Sequence, residues 1–354
     1  MKWVPINLLR SLAALLLCYS SLSGAVVVEN LHRALVDVED HSNAALQRAT
    51  RQGLAQVFVK VSGGPGVLEY GDVRRALDRA PSFMQRYRYL RPDDGGLKLQ
   101  VSFDAQLVNE VLRDAGAPLW TANRPPVLVW LVAEDDTGRH RVNRDSNPEL
   151  FDALAEQLER RGVPAVYPLY DLEDTVALSV HELWQLDDIA IANASQRYGV
   201  VNVLIGRLTA LPDDKWMGDW LYIAERDALE TSFYGEQAAT FSTTAVDLVA
   251  DSMAARYAIA ANAGGASVLV RVDQLGEYGA YREVLQYLED IELIDAAWPA
   301  YVEGDSVVFR LSAQAEPEQL HRIIALNRRL QRQESPPPLE RGPLNQALAY
   351  RWLP

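Results

Sequence analysis

Seven consecutive apolar residues, Val127-Leu128-Val129-Trp130-Leu131-Val132-Ala133, constrain this chain more than any other stretch. They follow Pro125-Pro126 directly, and consecutive prolines interrupt helix and sheet alike. A strand apolar on both sides has no solvent face, so it needs layers above and below it. Helical stripes follow at suitable distances. Asn147-Pro148 places a cap before a proline at the first helical position; Leu150, Phe151, Leu154 and Leu158 make the stripe, and Gly162 stops it. Val163 to Tyr167 reads as the next strand, and Ser179-Val180-His181-Glu182 as a capping box opening a helix that runs to about Gly199. Val200 to Leu208 is a further strand, two more lie between Trp220 and Phe241, and a helix spans about Thr244 to Ala260. The order β-α-β-α-β-β-β-α predicts a layered α/β domain with a mixed sheet over residues 123–262.

The flanking segments read as separate units. Before Asn123-Arg124-Pro125-Pro126, Ala34, Val36 and Val38 alternate as a strand face. Ser42 caps a helix striped by Leu46, Leu54, Val57, Phe58 and Val61 and ended by Gly63-Gly64. Phe83–Leu90 and Leu97–Phe103 form a hairpin through Asp93-Asp94-Gly95-Gly96, with Leu97, Leu99, Val101 and Phe103 inward and Lys98, Gln100 and Ser102 outward. Asp104 caps a helix carrying Leu107, Val108, Val111 and Leu112, which Gly116 ends. This is a small α+β unit over 26–122. After Gly264-Gly265, a strand through Val268, Val270 and Val272, a helix through Tyr281 and Leu288, strands on either side of Gly304-Asp305, a helix from Leu320 to Leu330 and a strand from Gln346 to Leu353 give β-α-β-β-α-β. That is the ferredoxin-like succession over 263–354, with the proline-rich 335–343 segment as its last loop.

Residues 1–25 have the layout of a secretory signal. Lys2 and Arg10 make the amino end positive, Ser11 to Leu17 is a short apolar core, and Ser23-Gly24-Ala25 supplies small residues for cleavage. The core is too short to span lipid. Cys18 raises a lipoprotein alternative, but lipidation wants a small residue before the cysteine and Leu17 is not small. Cleavage after Ala25 removes the chain's one cysteine, and with it disulfides, thiol catalysis and thiolate metal sites. It also removes two of 34 basic residues, leaving 32 against 48 acids, a net charge of −16. Acidity concentrates in the middle: residues 123–262 hold 23 acids and 11 bases, whereas 26–122 hold 12 of each. Such a balance repels polyphosphate, so nucleic acid is not an expected partner.

Motifs for chemistry are few. There is no Gly-x-Ser-x-Gly, no serine three positions before any lysine, and no Gly-Lys-Ser/Thr after Gly63-Gly64-Pro65-Gly66. His32, His41, His140, His181 and His321 stand apart, without zinc-site spacing. Neither a metal nor a cofactor is expected. The acid clusters Glu134-Asp135-Asp136, Asp171 with Glu173-Asp174, Asp187-Asp188 and Asp213-Asp214 fall at loops and helix starts, where solvation and the helix dipole favour carboxylates. Paired acids cut glycosidic bonds, and a glycan-directed envelope hydrolase is therefore the alternative function. Trp216 and Trp220, around Met217-Gly218-Asp219, read as buried packing or as a binding loop.

The least ordinary stretch is 74–91, with six arginines and one acid. Alternation puts Arg86 and Arg88 on one strand face and Tyr87 and Tyr89 on the other. Together with Arg74, Arg75 and Arg79 they are the candidate binding residues, because arginine forks suit carboxylates and phosphates.

Several segments resemble an exported bacterial family, the domain-of-unknown-function family two-zero-six-six. They are Val59-Lys60-Val61-Ser62-Gly63, Pro118-Leu119-Trp120 through Asn123-Arg124-Pro125 to Val129-Trp130-Leu131, Arg161-Gly162-Val163-Pro164, Leu169 to Asp174, and Ala194 to Gly199 followed by Gly206-Arg207-Leu208 and Trp216. The resemblance spans about residues 26 to 260 and implies no activity or catalytic residues. The middle unit, with a Tyr-Gly turn into Val203-Leu204-Ile205-Gly206, is also similar to a periplasmic α/β module. That module occurs in the Tol translocation protein, the curli secretion channel and a lipoprotein activator of a peptidoglycan synthase, and mostly binds proteins. The resulting expectation is an exported periplasmic protein, non-catalytic, binding or scaffolding through protein contacts in the cell envelope.

Overall fold

Strand β1 (Val26–Val27) and strand β2 (Arg33–Asp37) open the chain in the computed structural model, which describes residues 26–92, 96–212, 215–224, 227–236, 238–260, 266–326, 329–339, 344 and 346–353. The signal segment, Cys18, Asp93-Asp94-Gly95, Asp213-Asp214 and Gly264-Gly265 lie outside those residues. Helix α1 (Asn43–Ser62) starts where the Ser42 hydroxyl accepts from the Ala45 N–H and stops at Gly63 in the left-handed region. Next come α2 (Gly71–Asp78), β3 (Met84–Leu90), β4 (Lys98–Phe103) and α3 (Ala105–Asp114), the last capped by Asp104. β2 and β3 pair antiparallel on either side of β4. Leu99, Val101, Phe103, Ala34 and Val36 are buried in one core with Leu54, Val57, Phe58 and Val61 of α1. Two details differ from the sequence reading. Leu107 faces outward, because α3 buries only Val108 and Leu112; and α2, which the sequence reading did not place, contributes Val73, Ala76 and Leu77 to the core at helical spacing.

The central unit contains β5 (Pro118–Leu119), β6 (Asn123–Arg124), β7 (Val127–Asp135), β8 (Gly138–Arg141), α4 (Pro148–Arg161), β9 (Ala165–Val166), α5 (Leu172–Ala177), α6 (Val180–Gln185), α7 (Asp188–Ser195), β10 (Asn202–Leu211), β11 (Lys215–Ala224), β12 (Asp227–Glu236) and α8 (Ala238–Tyr257). Its sheet runs β12-β11-β10-β7-β8, with β9 also on β7. β7 is parallel to β10 and β9, and the other pairs are antiparallel, so the sheet is mixed. The apolar run is covered on both faces. Val127, Val129, Leu131 and Ala133 share a core with Leu154 of α4 and Val249 of α8, whereas Leu128, Trp130 and Val132 pack with Leu183 of α6 and Ile191 of α7. The single helix expected after Ser179 is two: Leu186 turns left-handed at φ 55°, and Asp187 caps the second.

The last unit contains β13 (Ile259–Ala260), β14 (Ala266–Asp273), α9 (Tyr278–Glu289), β15 (Ile294–Glu303), β16 (Ser306–Ala313), α10 (Pro317–Ile324), β17 (Leu330–Arg332) and β18 (Leu348–Trp352). From β14 onward it has the β-α-β-β-α-β succession with one strand, β17, added. α10 ends at Ile324, and Leu330 begins β17 instead of extending the helix. The sheet order is β15-β16-β14-β18-β17. Because β17 reverses the chain once more, β18 enters beside β14 running parallel to it. Arg271, nearly buried, holds the proline-rich loop by donating from Nη1 to the Pro337 carbonyl, at 2.5 Å. Outer strand β15 carries Pro299, pairs irregularly with β16 at Ile294/Ala296 and Pro299/Tyr301, and leaves Trp298 and Val302 exposed.

The segment read as a boundary carries a fully buried charge. β6 pairs with β1, and β13 returns to pair with β5. Arg124, at 0% exposure, stacks 3.7 Å over the Trp120 ring. Its guanidinium donates to five backbone carbonyls: Thr121 at 2.9 Å, Trp120 at 2.9 Å, Lys60 at 2.8 Å, Arg161 at 3.1 Å and Gly162 at 2.8 Å. The last three belong to the ends of α1 and α4, where helices present unpaired carbonyls and partial negative charge. Gly162 has φ 67°, and a Cβ there would stand 2.6 Å from Arg124 Nη1. From the last unit, Glu292 accepts from the Ala122 N–H at 2.9 Å, and the Asn123 amide donates to the Tyr287 hydroxyl at 3.1 Å. Burial pulls the Arg124 guanidinium down to about 9, with Glu292 opposing and Arg161 adding to the shift.

Candidate anion-binding face

Side chains alternate across a strand, so packing Leu99, Val101 and Phe103 against α1 turns Lys98, Gln100 and Ser102 outward. The pairing register then builds a grid on the outer face. Arg33, Ser102 and Arg86 form one row across β2, β4 and β3; Leu35, Gln100 and Arg88 form the next; Asp37, Lys98 and Leu90 form the third. The third row is partly covered, since Lys98 reaches Glu156 of α4 at 3.2 Å. The first two rows are open. Arg33, Arg86, Tyr87, Arg88, Gln100 and Ser102 line a depression of about 210 Å³. A second depression, of about 100 Å³, shares Arg33 and Gln100 and extends to Glu156, Glu159 and Lys60.

The electrostatics of this face are one-sided. Among the described residues no carboxylate forms an ion pair with Arg33, Arg86 or Arg88. Arg88 instead donates from Nε to the Gln100 side-chain oxygen. Three guanidinium groups thus converge with a hydroxyl and an amide on an uncovered surface, an arrangement suited to carboxylate or phosphate oxygens.

The five arginines singled out from the sequence are not one patch. Arg86 and Arg88 lie on the open face with Arg33. Arg74 and Arg75 lie on the exposed side of α2, whose buried side joins the core beneath the sheet; Arg75 pairs with Asp72, and Arg74 donates to the Leu68 carbonyl at 3.3 Å. Arg79 is exposed at the end of α2. Proximity in sequence grouped them, and the sheet separates them. Arg33 was missed, although the alternation of Arg33, Leu35 and Asp37 against Ala34 and Val36 carries its orientation.

The acid clusters are engaged locally. Glu134 pairs with Arg139 at 3.1 Å, Asp135 accepts from Thr137, and Asp187 caps α7. Asp174 departs from the surface reading. It is fully buried, accepting from the Tyr170 N–H and the Tyr198 hydroxyl and pairing with Arg197 at 2.8 Å. Arg197 also bonds Asp171 and holds that carboxyl near 2. Trp220 is buried, stacked on Phe241 at 4.2 Å, and Trp216 packs partly buried against the same core.

A family model described as a domain of unknown function, DUF8605, matches residues 25–121, the stretch that contains the whole arginine face. No curated protein matches. Among solved structures, a formyltetrahydrofolate deformylase from Pseudomonas putida KT2440 is 11% identical, covering 54% of this chain and 88% of that chain. Its TM-score of 0.16 carries no argument about fold or activity. No helix among the described residues is long and apolar enough to cross a membrane.

Proposed function

We propose that this is an exported, periplasmic binding protein of the bacterial cell envelope, acting through protein contacts, and that its arginine face receives an acidic partner. The observation that carries the reading is the open grid of Arg33, Arg86 and Arg88 without a carboxylate of its own. The signal layout of residues 1–25 supports export. The resemblances to family two-zero-six-six and to the periplasmic module of the Tol translocation protein support an envelope role. The hydrolase alternative has less behind it, because Glu156, which lines a depression with Glu159, is already tied to Lys98.

The double variant R86E/R88E tests the reading. Exposed charges contribute about 0–1 kcal/mol each to folding, so its circular dichroism and melting temperature should match the parent. Steering by charge weakens with salt, so crosslinked partner recovered from intact cells should fall, most clearly at low ionic strength. A stably folded variant with unchanged capture would remove the arginine face as a binding surface.

A further inference from the structure

The arginine face ends at a free strand edge. Among the described residues β3 is the outermost strand of its sheet, with β4 on one side only. Its exposure differs from that of its neighbour: β4 alternates between half-buried and buried residues, whereas Gln85, Arg86, Tyr87 and Arg88 are exposed in succession. Even Tyr87, on the side that β4 buries, is 47% exposed, so the helical layer covers the ends of β3 at Met84 and Tyr89 but leaves its middle open. Pairing with β4 is irregular at Met84/Arg86 and regular from Arg86 to Leu90. In an outer strand, alternate backbone N–H and C=O groups point away from the sheet and are ready to pair with another chain. No proline interrupts the strand.

Its side chains select what can pair there. A second copy of β3 would set arginine against arginine, and like charges directly opposite are unfavourable. The acidic outer strand β12 does not fit either: its acids, Asp227, Glu230 and Glu236, are never two residues apart. Arg86 and Arg88 are two apart and share a face, so an added strand would meet them at alternate positions. The residue between would lie over Tyr87, whose ring is 6.0 Å from and edge-on to Tyr89, which in turn stands 4.2 Å from the His41 ring.

Building on the proposed binding role of the arginine face, we infer that β3 takes an extended acidic segment of a partner protein as a fourth strand. Acids at alternate positions face Arg86 and Arg88, and an apolar residue between them covers Tyr87. Backbone pairing supplies the docking, and the alternation supplies the selectivity.

The test uses the mature protein and fluorescein-labelled peptides with a Glu-Val-Glu-Val-Glu core, read by fluorescence anisotropy at low salt. Two further peptides carry backbone N-methyl groups on alternate residues, in opposite phase. One phase turns its methyls toward β3 and the other toward solvent. The inward phase should bind about tenfold or more weakly, as expected for lost hydrogen bonds, and the outward phase like the parent. A peptide of equal composition with contiguous acids should bind more weakly, and R86E/R88E should bind none of them. Amide exchange within Arg86–Leu90 should slow on binding. If both N-methyl phases bind as the parent does, contact is by charge alone and strand addition is overturned, while the arginine face stands. If no peptide binds, strand addition is likewise overturned, and the crosslinking comparison still decides the arginine face independently.

Discussion

Replacing Arg124 with alanine should be among the most damaging single changes in the chain. The guanidinium makes five hydrogen bonds to backbone carbonyls and none to a carboxylate, in full burial. Hydrogen bonds involving a charged group contribute about 1.5–3 kcal/mol each, so five at the lower end come to about 7 kcal/mol. Removing the side chain also relieves its desolvation, which returns several kcal/mol, leaving a net loss of about 3–5 kcal/mol. At about 2.1 cal/mol/K of unfolding entropy per residue, each kcal/mol shifts the melting temperature of a chain this long by about 1.5 °C, so R124A should melt about 5–7 °C below the parent in a calorimetric scan. R124K keeps the charge but cannot span carbonyls from the ends of both α1 and α4, and should fall between. An R124A protein melting within about a degree of the parent would refute the idea that this guanidinium joins the units, whatever R124K does.

Two further outcomes follow, one from the structure and one from the sequence. Lys60 is 5% exposed and, among the described residues, donates to the carbonyls of Arg33 and Asn30; burial lowers it from 10.5 to about 8, with Glu159 opposing and Arg124 and Arg33 adding. Between those values the unfolded chain holds a proton that the folded chain has shed, so stability should rise by about 3 kcal/mol as pH increases from 8 to 10.5. Urea denaturation of K60M at both ends of that range should show a rise smaller than the parent's by about that amount, with Arg124, also lowered by burial, supplying what remains; an undiminished rise would assign it to another group. On the proposed export, sequencing the amino terminus of the mature protein should give Val26 as the first residue, and a chain retaining Met1 or beginning at a lipidated Cys18 would contradict cleavage after Ala25.

What could be read from the residues was whatever depends on neighbours in sequence. The double coverage of Val127–Ala133, the caps at Ser42, Asp104, Asn147 and Ser179, and the outward turn of Gln100 and Ser102 all rest on periodicity or on contacts within one helical turn. Arg124 was read as part of a domain boundary because consecutive prolines follow it. Two of its carbonyl partners, on Arg161 and Lys60, are 37 and 64 residues away, and a carbonyl has no residue-type signature. Asp174 was lost in a run of acids for a similar reason, with Arg197 lying 23 residues on. The split of the five arginines needed the third dimension: only once β4 lies between β2 and β3 does Arg33 join Arg86, while Arg74 and Arg75 stay on the helix. The break at Leu186 has no glycine or asparagine to announce it.

Pro299 bears on molecules in company more than on any one of them. β15 is a ten-residue outer strand with exposed Trp298 and Val302, the kind of surface on which neighbouring chains nucleate cross-strand assemblies. A proline in its middle offers no N–H and divides it into two runs too short to template a partner. Losing it would leave each folded chain much as it is, yet give every neighbour an uninterrupted edge. The harm would then scale with concentration and appear as turbidity in a crowded sample long before it appeared as unfolding in a dilute one.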